Sequence, residues 1–303
     1  MRGKVLKQEL LRQTSLHDNL NMEGSKQCRG TPMIAETLII SLAIFVVAFL
    51  FAPIGMGGGM LFVPLLHYGL GWEINGALFA VSLSLTVVVS WGSGLAHRKE
   101  KHYDDASLKI GLKGAVIGTI LGVGVVVLIG NKMDVVFKTL SLIMISWAIY
   151  KTAMKMRIDS KNKEIQDHKR EREIQSLPLQ IGAGIGGVLS SVLAIGAGVI
   201  YVPVLRTFAH LEPRKAIGTS LHFMMVVVPV AIFTHLLTLP TEMYSKLSEE
   251  FLLILMFMAL TLLGSRNGAK YGIKYLSEQQ LMKVFLFIII LVGMKYVADL
   301  GGF

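Results

Sequence analysis

The chain has 303 residues, of which 53% are hydrophobic and only 17% charged, with a formal net charge of +10 and a mean hydropathy of +0.59. A soluble domain is about a quarter charged, so this composition excludes an ordinary soluble protein, and repeated apolar runs near the ~20 residues of a bilayer crossing mark an integral membrane protein. The basic residues sit in a tail and in loops between apolar runs, where cytoplasmic loops collect them, which excludes a nucleic-acid binder.

Residues 1–33 form a polar N-terminal tail carrying Arg2, Lys4, Lys7, Arg12, Lys26 and Arg29. It is too long for the n-region of a signal peptide, and no small-residue cleavage site follows a short apolar core. Cys28 is the only cysteine, so no intrachain disulfide is expected. The first membrane repeat, 34–154, holds apolar segments at 34–54, 60–70, 77–96, 112–129 and 135–154. A charged linker follows at 155–177; 12 of the 22 residues from 155 to 176 are charged, with both signs mixed, as in a solvated connector. The second repeat, 178–303, offers segments at 179–195, 199–208, 216–237, 251–263 (extended toward Tyr271) and 281–297.

Gly55-Met56-Gly57-Gly58-Gly59 leads into Val63-Pro64, and Gly196-Ala197-Gly198 leads into Val202-Pro203; the two prolines lie 139 positions apart. Laid on one another, Gly57, Gly59, Pro64 and Glu73 fall on Gly196, Gly198, Pro203 and Glu212. One residue is then lost, and Ser82-Leu83 meets Ser220-Leu221. Further on, Gly118 and Gly122 match Gly264 and Gly268, a small-xxx-small spacing that lets helices approach closely. The fold class expected is an all-α polytopic membrane protein of two inverted repeats. Each has about five membrane segments, the second short and broken at a Gly-rich turn.

Loop charge supports ten crossings. One side would hold the basic loops 97–111, 155–178, 209–215 and 272–280; the other holds 71–76, 130–134 and 238–250 with two lysines between them. If 60–70 and 199–208 were re-entrant, each half would cross four times and the repeats would be parallel. The basic tail would lie outside under ten crossings, so a natural start at Met33 is the expectation for that end.

A half-helix starting near Gly59 and another near Gly198 would each present unpaired N–H groups and a dipole end worth roughly half a positive charge, a ready anion site. The candidate site residues are Gly57, Gly58 and Gly59 in the first break, Gly196, Ala197 and Gly198 in the second, and Ser82, Thr219, Ser220 and His222 on the helices that follow. The competing reading gives the glycines helix packing alone and returns the hydroxyls to the carbonyl one turn back. No Asp or Glu lies well inside a segment, so a carboxylate proton relay is not expected. His222 and His235 are the deep ionisable groups; His222 can complement an anion or carry a coupling proton, and His235 reads as structural. Arg206, Arg214 and Lys215 edge the cytoplasmic end of the second break. No metal, cofactor or nucleophile–base constellation is expected.

The Gly-x-Gly-Gly-Gly motif with its proline at 55–64, its degenerate copy at 196–203, and Pro213-Arg214-Lys215-Ala216-Ile217-Gly218-Thr219-Ser220-Leu221 resemble the duplicated TauE/SafE sulfite-exporter type of permease. Ala77-Leu-Phe-Ala-Val-Ser82 and Ala197 depart from the pattern, which leaves the substrate open. The resemblance implies a multi-pass cell-membrane transporter of sulfite, organosulfonates or other small organic anions. Secondary transport by alternating access around the breaks is the first reading, a passive anion channel the second, and an intramembrane enzyme the third and weakest.

Overall fold

A computed structural model describes residues 30–53, 58–159, 174–272 and 278–302, and among these it is helical throughout, without strands. The first half gives α1 (Gly30–Phe51), α2 (Gly59–Leu70), α3 (Gly76–Lys99), α4 (Asp105–Ile129) and α5 (Met133–Asp159). The second half gives α6 (Ser176–Leu193), α7 (Gly198–Phe208), α8 (Pro213–Leu237), α9 (Thr241–Glu249), α10 (Phe251–Asn267, prolonged by a π-helical turn Gly268–Gly272) and α11 (Glu278–Gly301). Each of the ten apolar segments becomes a helix. The tail before Gly30 and most of the charged linker lie outside the described residues.

Local chemistry sets the boundaries. Asp104 caps α4, its carboxylate accepting from the Ser107 N–H at 2.9 Å. Pro213 opens α8 at a first-turn position where its missing N–H costs nothing. Gly71, at φ 70°, closes α2 in the left-handed conformation. Six stretches among the described residues are long and apolar enough to cross a membrane: Gly76–Lys99, Asp105–Tyr150 (α4 and much of α5), Ser176–Leu193, Pro213–Leu237, Phe251–Tyr271 and Lys283–Gly301. Leu128, Leu252, Phe233 and Phe287 are exposed at their surfaces, as befits a molecule whose solvent is lipid.

The centre is α3 against α8, the two most buried spanning helices. They run antiparallel: Gly94 faces Leu221 and Met225, whereas Gly76 faces His235 and Leu239. Around them the packing is exchanged between the halves. Helix α4 runs parallel to α6, with Gly114, Gly118 and Gly122 seated in turn on the backbones of Gln180, Gly184 and Val188. Helix α10 runs parallel to α1, with Gly264 and Gly268 seated on the carbonyls of Phe45 and Phe49. Phe45 and Gly184, like Phe49 and Val188, are 139 positions apart, the interval that separates Pro64 from Pro203. The small-xxx-small pairs matched between the halves thus press on matched partners.

Helix α5 meets α11 at the end of the molecule that also carries the α2 C-terminus. There the buried Lys138 ammonium reaches Asp134 at 2.9 Å and Asp299 at 3.1 Å; Lys295 lies 3.2 Å from Asp299, and the Tyr68 hydroxyl donates to Asp299 at 2.8 Å. The network ties the two halves together across their peripheral helices.

The glycine contacts yield a paired test. A β-carbon at Gly118 would collide with the backbone carbonyl of Gly184, which no rotamer change relieves, whereas at Gly124 on the same helix it would meet nothing within 4 Å. Gly118→Ala is expected to destabilise by about 1–3 kcal/mol, and Gly124→Ala to be neutral or stabilising by about 0.5–1 kcal/mol. Thermal unfolding of the purified protein in detergent checks both.

Candidate functional site

Both glycine-rich segments interrupt the helical path. Helix α1 stops at Phe51 and α2 begins at Gly59, its N-cap Gly58 at φ 71°, ψ −8°. Helix α6 stops at Leu193 and α7 begins at Gly198, its N-cap Ala197 at φ 54°, ψ 18°. Gly58 and Ala197 occupy equivalent positions in the two halves and share the left-handed conformation. Ala194 at φ 49° and Gly196 at φ 69° add two more such residues to the second break. An L-residue pays about 1–2 kcal/mol in this region, so Ala197 and Ala194 hold a shape that glycine holds freely.

The two breaks meet. A β-carbon built on Gly59 would lie 2.7 Å from Thr86 Oγ1, 2.8 Å from the Ala194 carbonyl oxygen and 2.8 Å from the Ile195 carbonyl carbon. One built on Gly196 would lie 2.6 Å from Thr86 Cγ2 and 3.0 Å from Met224 Sδ. Thr86, fully buried on α3, therefore stands between the start of α2 and the second break. Ser82, one turn away, donates its hydroxyl to the Ala194 carbonyl at 3.3 Å. Gly58, Gly59, Ala197 and Gly198 are all buried, and no side chain caps either helix N-terminus. The first N–H groups of an α-helix have no acceptor further back in the helix; here the Leu61 and Ile200 N–H groups turn back to the Gly58 and Ala197 carbonyls at 3.0 and 2.9 Å.

The remaining expected residues divide. Gly57 lies outside the described residues. Thr219 is committed to structure: its hydroxyl donates to Lys215 O at 2.7 Å and accepts from the Asp104 N–H at 2.9 Å, fixing the start of α4 on α8. Ser220, the counterpart of Ser82, is fully buried, and its Oγ has no hydrogen-bond partner. His222 is two residues further, about 200° around the helix, and joins a different neighbourhood. Its Nδ1–H donates to Gly218 O at 2.7 Å and its ring stacks on Tyr103 at 4.6 Å. Ser84, Thr86 and Ser90 donate to Ala80, Ser82 and Thr86 carbonyls, each one turn back.

Three features escaped the reading of the chain. Lys138 stands near the start of an apolar run whose other charge is Lys151, and its partner Asp299 lies just past the apolar limit placed at 297, on a helix that continues to Gly301. Ser93 donates to the Ala52 carbonyl at 2.5 Å, holding the backbone just before the first break. Tyr201, fully buried on α7 with its hydroxyl unpartnered, packs on Phe223 and fills the space beside Gly186.

The left-handed caps generate an asymmetric expectation. Gly58→Ala should lower stability by about 1–2 kcal/mol, whereas Ala197→Gly should be neutral or raise it by up to about 1 kcal/mol, since glycine removes the steric cost but adds unfolded-state freedom. Melting temperatures of the two variants in the same detergent decide it.

Comparison with known proteins agrees with this architecture. The pattern of the sulfite exporter TauE/SafE family matches residues 40–296. A probable membrane transporter protein of Bacillus subtilis, YunE, is 27% identical over 199 residues, 61% of this chain and 72% of its own length. A probable membrane transporter protein of Methanocaldococcus jannaschii is 31% identical over 184 residues, 58% of this chain and 63% of its own length. No solved structure matches. With the family pattern spanning both breaks and both repeats, the chain is a multi-pass membrane transporter that belongs to the TauE/SafE sulfite exporter family.

Proposed function

We propose that this transporter carries small anions, sulfite or organosulfonates foremost, out of the cell across its membrane by alternating access around the two breaks. The observation that carries the reading is the meeting of the start of α2 with the second break, at Ala194–Gly196, around Thr86, with neither α2 nor α7 capped by a side chain. Two such termini aim roughly half a positive charge each at one region, and a sulfonate or sulfite has oxygens enough to accept from both. Gly59 and Gly198 let the guest reach the backbone; the unpartnered Ser220 supplies a hydroxyl donor, while its counterpart Ser82 gives its proton to the Ala194 carbonyl.

The antiparallel crossing of α3 and α8 favours inverted repeats, since equivalent helices run oppositely only when the halves enter the bilayer from opposite faces. The close seat of Gly59 on Ala194 and Ile195 favours a carrier over a standing pore, because the break region has to loosen before anything passes. The family's descriptor names sulfite export, which sets the order in which anions are to be tried.

The test is uptake of labelled sulfite, sulfoacetate and methanesulfonate into proteoliposomes containing the purified protein. Saturation and acceleration by anion on the far side are expected, and single-channel currents would replace the carrier by a pore. Gly58→Leu and Gly198→Leu should abolish transport while the protein still inserts and purifies as a folded species. Unchanged uptake in both would overturn the reading.

A further inference from the structure

His97 and His235 are 138 positions apart, the interval that relates Ser82 to Ser220, so they are the same residue of the two repeats. Each sits in the last turn of its helix, α3 or α8, and each is buried. Their tasks differ. His235 Nε2–H donates to the Ser191 carbonyl at 3.2 Å, the backbone group just before the second break. The equivalent carbonyl in the first half is that of Ala52, and it is already taken by Ser93. Ser93 corresponds to Ala231, which has no hydroxyl, so the second half needs its histidine where the first does not.

His97 is thereby released. Its exposure is 7%, yet neither ring nitrogen has a hydrogen-bond partner. A buried polar group left unmade costs about 1–3 kcal/mol, and nothing in the packing of α3 repays it. Next to it, His222 is 8% exposed; with Nδ1–H given to Gly218 O, its Nε2 is also unpartnered. Arg214, Gly218 and His222 recur every four residues along one face of α8, and the His97 Cβ lies 3.5 Å from where Gly218 would carry a β-carbon.

Resting on the anion-carrier reading, we propose that His97, His222 and Arg214 form a second oxyanion-binding station, outside the breaks on the basic-loop side, where a sulfite- or sulfonate-type anion is held before it reaches Thr86. The chemistry is that of two buried imidazoles with unpartnered nitrogens beside an exposed guanidinium. Arg214 contributes fixed charge, and either nitrogen of His97 can donate. The Nε2 of neutral His222 is itself an acceptor, because Nδ1 carries the proton, so it donates to an anion only after protonation. The other charged and titratable groups around the pair are Glu100, which holds His102 at 3.0 Å, His102 at 6.1 Å from the His97 ring, Tyr103 stacked on His222, and Asp104, whose carboxylate is turned onto Ser107.

Equilibrium binding of sodium methanesulfonate to the purified full-length chain tests this; that anion stays singly charged over the working range. Wild type should bind. His97→Leu should weaken binding at least tenfold and leave the melting temperature unchanged or higher, since no hydrogen bond is lost. His97→Gln, which keeps a donor, should lie between. His235→Leu should do the reverse, lowering the melting temperature while binding persists. Methanesulfonate affinity in both His97 variants within twofold of wild type would overturn the station. If Gly58→Leu still abolished transport in that case, the breaks would stand without it. A wild-type protein that binds neither methanesulfonate nor sulfite would overturn the station and the anion reading together.

Discussion

Backbone amides that leave a helix inside a bilayer have no water to turn to, and each one left unsatisfied costs several kcal/mol. The architecture follows from where this protein permits that cost. Both interruptions are wrapped by other helices, and the carbonyls flanking them are tied down by side chains from the central pair: Ser82 on Ala194, Ser93 on Ala52, His235 on Ser191. Acceptors are thus provided for, whereas neither α2 nor α7 has a side-chain cap at its N-terminus. On the proposed anion-carrier reading, those uncapped helix starts are what favour a negative guest, since the sequence of neither break carries a cationic side chain.

Much of this was legible in the chain because its causes are local or repeated. A Gly-rich stretch ending in Val-Pro breaks a helix wherever it stands, and finding it twice at one interval locates both breaks and their mutual relation. The matched pairs Gly118/Gly122 and Gly264/Gly268 likewise announced close helix contact. What the spacing could not say is which helix would come to them, since a stripe of small residues describes a groove and not its occupant. Each turned out to receive the first helix of the opposite half.

The rest was hidden for different physical reasons. Lys138 reads as a charge in an apolar run until α5 and α11 bring Asp299 to it. The segment 238–250 reads as a polar loop, yet Thr241–Glu249 forms a short helix that sets Met243, Tyr244 and Leu247 on one face. Ser220 and His222 read as one constellation because they are close in sequence, while a helix sends residues two apart to nearly opposite sides. The kinship of His97 with His235 was there to be read in the repeat interval, but its meaning depended on Ser93 having displaced one of them.

The exchange of partners between the halves also fixes what can move. Helix α4 is clasped by α6, and α10 by α1, through backbone contacts that admit not even a methyl group at Gly118 or Gly268. The charged linker therefore does not divide the working bodies. One body comprises α1, α2 and α3 with α10; the other comprises α6, α7 and α8 with α4. They touch chiefly along α3 and α8, and the chain passes between them at residues 100–104 and again at 238–250. Under the proposed alternating access, a rocking of these bodies would flex those two short crossings and turn about the seam on which Thr86 sits.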